Sequence, residues 1–186
     1  MAAKLTVQGG LYTGAGMMDS MMEHGRGSPA GLGIVEYSDG LAREFHDINA
    51  QWISAMFRLE DTDRDVLENP RARIVDPGGV ILFAQDSDLG IVGTCALQKT
   101  GERQFELTKM GVLEEARGRK VGEFLLTAVL DRAAAMGAQR LYLLTSSRCA
   151  AAIHLYEKNG FRHDAGIMRD FGSRYARCDV AMLYRG

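Results

Sequence analysis

From Leu32 onward, short runs rich in β-branched and aromatic residues alternate with stretches in which apolar residues return every third or fourth position. Gly33 to Tyr37 reads as a short strand, closed by the turn residues Ser38, Asp39 and Gly40. Between Leu41 and Leu59, the residues Leu41, Phe45, Ile48, Trp52, Ile53, Met56 and Phe57 share one face of an amphipathic helix or a broken pair of helices. The acidic segment from Asp61 to Asn69 reads as a short turn stopped at Pro70. After Pro77-Gly78-Gly79, the runs Val80 to Ala84, Ile91 to Leu97 and Gln104 to Val112 are joined by tight turns and predict an antiparallel meander. Val121, Phe124, Leu125, Ala128 and Val129 then mark a helix capped by Gly137. The wholly apolar Leu141 to Leu144 is the pattern of a buried strand reached by a helical crossover. A second helix, Ala150 to Lys158, ends at Asn159-Gly160, and two strands follow, one from Phe161 onward and one from Cys178 to Tyr184. The order predicts an α+β fold, a mixed and mostly antiparallel sheet of about seven strands flanked by about four helices.

Composition narrows the function classes without naming one. At 46% hydrophobic and 25% charged, the chain of 186 residues has the makeup of one ordinary soluble domain with a core of its own. A formal net charge of −2 argues against a dedicated nucleic-acid binder. Cys95, Cys149 and Cys178 are widely spaced, without a CxxC pair or zinc spacing, so a reduced, cytoplasmic protein without metal is expected. No run of 18 apolar residues suggests a membrane span. Residues 1–31, with Met1, Met17, Met18, Met21, Met22 and many glycines, read as a flexible leader, and residues 32–186 as the domain.

The segment from Glu106 to Gly122 carries the most chemistry. A strand runs into a turn rich in glycine and positive charge, and then into the first turn of a strong helix. Free amides and the positive end of the helix dipole make such a junction an anion site, and Arg117, Arg119 and Lys120 add charge to it. Three basic residues in four positions are equally what a solvated loop carries. The turn is not a Walker loop, because Gly118-Arg119-Lys120 is followed by Val121, and no GxGxxG follows the first strand.

Arg117-Gly118-Arg119-Lys120-Val121-Gly122 resembles the Q/R-x-x-G-x-G/A signature of the GNAT superfamily of N-acetyltransferases, with Lys120 in place of the first signature glycine and expected to keep φ negative. Ala152-Ile153-His154-Leu155-Tyr156-Glu157-Lys158-Asn159-Gly160-Phe161 is similar to that family's A-I-x-L-Y-E-K-x-G-F block, and the likeness runs from about Ile34 to Tyr184.

The resemblance implies a sheet whose fourth and fifth strands splay apart around the pantetheine arm of acetyl-CoA, with Met110, Gly111 and Val112 pairing to it through their main chain. It implies a pyrophosphate held by Arg117, Gly118, Arg119, Lys120, Val121, Gly122 and Glu123. Cys149 stands where the family has an asparagine, and Ser146 or Ser147 is the substitute contact. Tyr156 is the implied proton donor to the departing thiolate, and Glu106 the implied base, acting directly or through water. Trp52, Phe45, Tyr175 and Arg177 are implied to wall the acceptor pocket, with Arg174 nearby and an arginine suited to an acidic acceptor. His46 and His154 read as surface residues, and Cys149 is not needed as a nucleophile. The expected activity is direct acetyl transfer from acetyl-CoA to a primary amine of a small metabolite. The alternatives are a peptide N-terminal acetyltransferase and a silent acyl-CoA-binding module. No nucleic acid or membrane partner is expected, and a homodimer is compatible with the chain.

Overall fold

The computed structural model describes residues 31–186, so the expected leader, apart from Gly31, lies outside the described residues. The elements are β1 (Leu32–Glu36), α1 (Ala42–Met56), α2 (Asp61–Glu68), β2 (Val80–Asp86), β3 (Gly90–Gly101), β4 (Gln104–Val112), α3 (Val121–Ala135), β5 (Arg140–Thr145), α4 (Ala150–Lys158), β6 (Phe161–His163), α5 (Ala165–Phe171) and β7 (Val180–Tyr184). They build one seven-stranded sheet in the order β1-β2-β3-β4-β5-β7-β6. Only β4 and β5 run parallel, joined by the α3 crossover.

Helices cover both faces, which explains why β2 is buried along nearly its whole length instead of alternating. On one face Leu125, Leu126 and Val129 of α3 pack with Leu82, Leu97 and Leu107. On the other, Phe45 and Ile53 of α1 close over Ile81, Phe83 and Ala96, while Ile167 of α5 packs with Tyr142 and Ala181 at the far end.

Two elements differ from the sequence expectation. The acidic stretch after Asp61 is a helix, not a turn: the Asp63 carboxylate accepts the Glu60 backbone N–H at 3.1 Å, and Val66 and Leu67 are buried beneath it. The stretch after Phe161 is a strand of only three residues followed by α5, whose first turn is capped by Asp164 accepting the Ile167 N–H at 2.9 Å.

Pairing between β4 and β5 runs from Gln104↔Arg140 to Leu107↔Leu143 and then stops, although both strands continue. The cause lies on the other edge of β4. Between the pairs Thr94↔Gly111 and Ala96↔Thr108, β3 has Cys95 alone opposite both Lys109 and Met110. This is a β-bulge, with Lys109 at φ 52°, and it bends β4 away from β5.

Candidate active site

The parted strands leave a cleft lined by β4 from Leu107 to Met110, by β5 from Leu143 to Thr145 and by Tyr156 of α4. Beyond the bulge, the Leu113 N–H donates to Val92 O at 2.9 Å, so residue 113 faces β3. Successive residues of a strand turn their N–H and C=O to opposite sides, so the main-chain groups of Met110 and Val112 turn to the cleft and those of Gly111 to β3. Gly111 serves packing as well: a Cβ there would stand 2.6 Å from Trp52 Cδ1, so its absence lets α1 lie against β4.

At the end of β4 the chain enters α3 through Arg117 to Lys120. Arg119 N–H donates to Ala116 O at 3.4 Å and Phe124 N–H to Lys120 O at 3.0 Å, leaving the amides of Lys120 to Glu123 without a backbone partner. The expectation that Lys120 keeps φ negative is overturned. It adopts the left-handed conformation at φ 61°, ψ 17°, as glycine would, at a cost of about 1–2 kcal/mol. Arg119 turns back to Asp86 at 3.0 Å and is taken up there, Arg117 lies near Glu114 at 3.3 Å on the exposed surface, and Glu123 accepts Lys158 Nζ at 2.7 Å. Val121 is buried in the core, so only its amide is available. At Gly122 a Cβ would meet nothing closer than Leu155 at 3.6 Å, so internal packing does not demand glycine there.

Tyr156 is brought to the cleft by α4, and its hydroxyl donates to Met110 Sδ at 3.6 Å. Burial pushes its phenol well above the ordinary value, with Cys95 and Cys149 adding to the shift, so it stays protonated. Cys149 precedes α4 and lines the cleft with Ser146, whose Oγ accepts the Arg148 N–H at 3.5 Å. Glu106 is 1% exposed, lies in the zipped part of β4 opposite Tyr142, and forms an ion pair with Arg174. Burial raises its carboxyl above the ordinary range, against the pull of the Arg174 guanidinium. The cleft lining holds Thr108, two residues along on the same face of β4, but not Glu106 itself.

Trp52, Phe57 and Tyr175 add aromatic walls to the cleft. Phe45 is not among them: it is fully buried on the core face of α1. Arg177 lines the cleft but is not free, since it binds Asp63 at 2.6 and 2.8 Å and Glu60 at 2.9 Å. Lys109 Nζ reaches Asp63 at 2.7 Å with both side chains buried, and lies 4.9 Å from the Tyr175 ring centroid. Glu60 and Asp63 escaped the sequence reading because they sit in a run of ordinary surface-like charge, and Lys109 because a lone lysine in a strand reads as solvent-facing. The residue order shows no sign that α2, the bulge and the loop before β7 converge.

A family model described as the acetyltransferase (GNAT) family matches residues 43–161. The chain belongs to this family. Mycothiol acetyltransferase of Clavibacter michiganensis is 29% identical over 145 residues, 76% of this chain and 46% of that protein, so this chain matches less than half of that relative's length. A GNAT-family acetyltransferase of Staphylococcus aureus superimposes with a TM-score of 0.74 at 23% identity, covering 82% of this chain and 98% of that one. Spermidine N-acetyltransferase of Vibrio cholerae, solved with CoA and spermine, gives 0.62 at 20% identity, covering 83% and 95%.

Within this GNAT-family domain, the chain's own groups at the cleft fit coenzyme A. Four unpartnered amides on a helix N-terminus suit a diphosphate, and an unzipped strand edge suits the amides of a pantetheine arm. Gly122 leaves room for the approach. Among the described residues, no group of three or more His, Cys, Asp or Glu side chains is placed to hold a metal, and no helix is long and apolar enough to cross a membrane.

Proposed function

We propose that this protein transfers the acetyl group of acetyl-CoA directly to the primary amine of a small metabolite. The observation that carries the reading is the opening between β4 and β5, with the protonated Tyr156 hydroxyl on one wall and the free main-chain groups of Met110 on the other. Bound acetyl-CoA supplies a thioester whose carbonyl carbon can accept a nitrogen. The amides of Lys120 to Glu123 hold the diphosphate, and Val112 orients the arm through its main chain. The Met110 N–H, turned outward by the bulge, stabilises negative charge developing on the carbonyl oxygen.

Tyr156 donates to the departing sulfur. Its raised pKa does not put it out of step with a thiol of about 8.5 in water, because the same burial lifts a thiol, as it does for Cys95 in the adjoining core. Glu106 takes the amine proton through water: its carboxyl lies within hydrogen-bonding reach of Thr108, which lines the cleft, and its raised pKa strengthens it as an acceptor. Ser146 and Cys149 border the arm, and Trp52 and Tyr175 wall the acceptor.

Calorimetry with CoA followed by thiol-release assays on an amine panel tests the reading. Saturable binding near one per chain and amine-dependent thiol release are expected. Absence of CoA binding would remove the acetyl-transfer reading. Binding without release on any amine or peptide would leave a silent CoA-binding module, and release on peptides alone would move the acceptor to protein N-termini.

A further inference from the structure

The lining of the cleft holds two basic side chains, Lys109 and Arg177, and no aspartate or glutamate. Their charges are matched by Asp63 and Glu60, which stand behind them and not in the lining. A further cation stands beside Phe57. Arg148 belongs to the loop between the lining residues Ser146 and Cys149, and its Cζ lies over the Phe57 ring, 4.7 Å from the centroid. Arg177 lies 5.8 Å from the same ring, so Phe57 bridges the two guanidiniums. Among the described residues, Arg148 makes no salt bridge, whereas Arg177 is bound to two carboxylates.

The Arg148 guanidinium has no carboxylate partner among the described residues, and its N–H groups can take a carboxylate two bonds at a time. A second ammonium on the acceptor would meet Arg148 with no acid in the lining to receive it, the neighbouring Asp179 being taken up by the Ser147 N–H and Oγ at 2.6 Å, which disfavours polyamines. We propose that the acceptor is an amine that also carries a carboxylate, of the α-amino-acid type, and that Arg148, held on Phe57, is the residue that selects it. The aromatic walls Trp52 and Tyr175 then receive the remainder of the acceptor. This inference rests on the acetyl-transfer reading above.

The test uses matched pairs that differ only by the carboxylate: L-phenylalanine and phenethylamine, L-tyrosine and tyramine, L-histidine and histamine, with spermidine and phosphoethanolamine beside them. Wild-type kcat/KM should favour the amino acid in at least one pair by about 10-fold or more. Arg148→Ala should raise KM for that amino acid by about 10-fold, leave KM for acetyl-CoA unchanged and bring the pair ratio near one, with partial recovery in Arg148→Lys. Preference for the decarboxylated amines, for spermidine or for phosphoethanolamine overturns the proposal, as does a pair ratio unchanged by Arg148→Ala. CoA binding and thiol release by the wild type, measured first, separate failure of this inference from failure of acetyl transfer. If release is too slow to rank acceptors, calorimetry of N-acetyl-L-phenylalanine against N-phenethylacetamide on the CoA-loaded protein decides the same question, with equal affinities overturning the proposal.

Discussion

Lys109 combines a left-handed backbone at φ 52° with an ammonium sealed against Asp63. Replacement by glycine removes the tether but fits the backbone, whereas alanine removes the tether and keeps the strain. Lys109→Gly should therefore unfold at higher urea than Lys109→Ala, by about 1 kcal/mol, and should retain more turnover because the bulge still presents Met110. Equal stability and equal rates in the two variants would show that the bulge does not depend on this residue. Tyr156→Phe should lower kcat by about 10²-fold with the KM for acetyl-CoA little changed, since it removes one proton donor and only a weak contact to Met110 Sδ. Steady-state thiol release checks it, and an unchanged kcat would remove Tyr156 from the chemistry.

At the scale of elements, α1 rests on β4 only because residue 111 lacks a side chain. Gly111→Ala places a Cβ 2.6 Å from Trp52 Cδ1 and 2.9 Å from its Nε1, which should cost about 1–3 kcal/mol in urea unfolding. Trp52 is the sole tryptophan, so its emission should also shift to the red as the indole is pushed outward. Unchanged emission and stability would mean that α1 shifts freely on the sheet. The strongly periodic elements, α1 and α3, were legible because a repeating apolar face needs no tertiary information. Helix α2 was not: in Asp61 to Glu68 only Val66 and Leu67 are apolar, and the helix is held by Asp63 turning inward to Lys109 and Arg177. Helix α5 was hidden by the strand-like residues on either side of it, although Asp164 three residues before Ile167 was a capping signal.

For the molecule as a whole, acid stability should report the buried charge cluster. Burial alone would raise the Asp63 carboxyl, but hydrogen bonds from Arg177 and the charge of Lys109 outweigh it and hold it below its ordinary value. A depressed folded pKa gives stability that is present above the unfolded value of about 3.9 and lost as pH falls through the folded one. Urea midpoints measured from neutral pH downward should fall below about pH 4 in the wild type and fall less in Asp63→Asn, which has no such proton to take up. Parallel acid limbs in the two proteins would remove Asp63 as the cause.

The sequence by itself determined the order of the strands, the helices α1, α3 and α4, the crossover into β5, the glycine- and arginine-rich turn before α3 and the block that carries Tyr156, because each is written within a short window of the chain. The tertiary structure alone decided where charge is spent: Arg119 on Asp86, Arg174 on Glu106, Arg177 on Asp63 and Glu60, with Arg148 left over beside Phe57. It also turned Phe45 into the core and set Lys120 at positive φ. Local sequence sets backbone preference and apolar rhythm, but ion pairing depends on which of several similar side chains the fold brings within a few ångströms. That proximity is a property of packing between residues far apart in the chain.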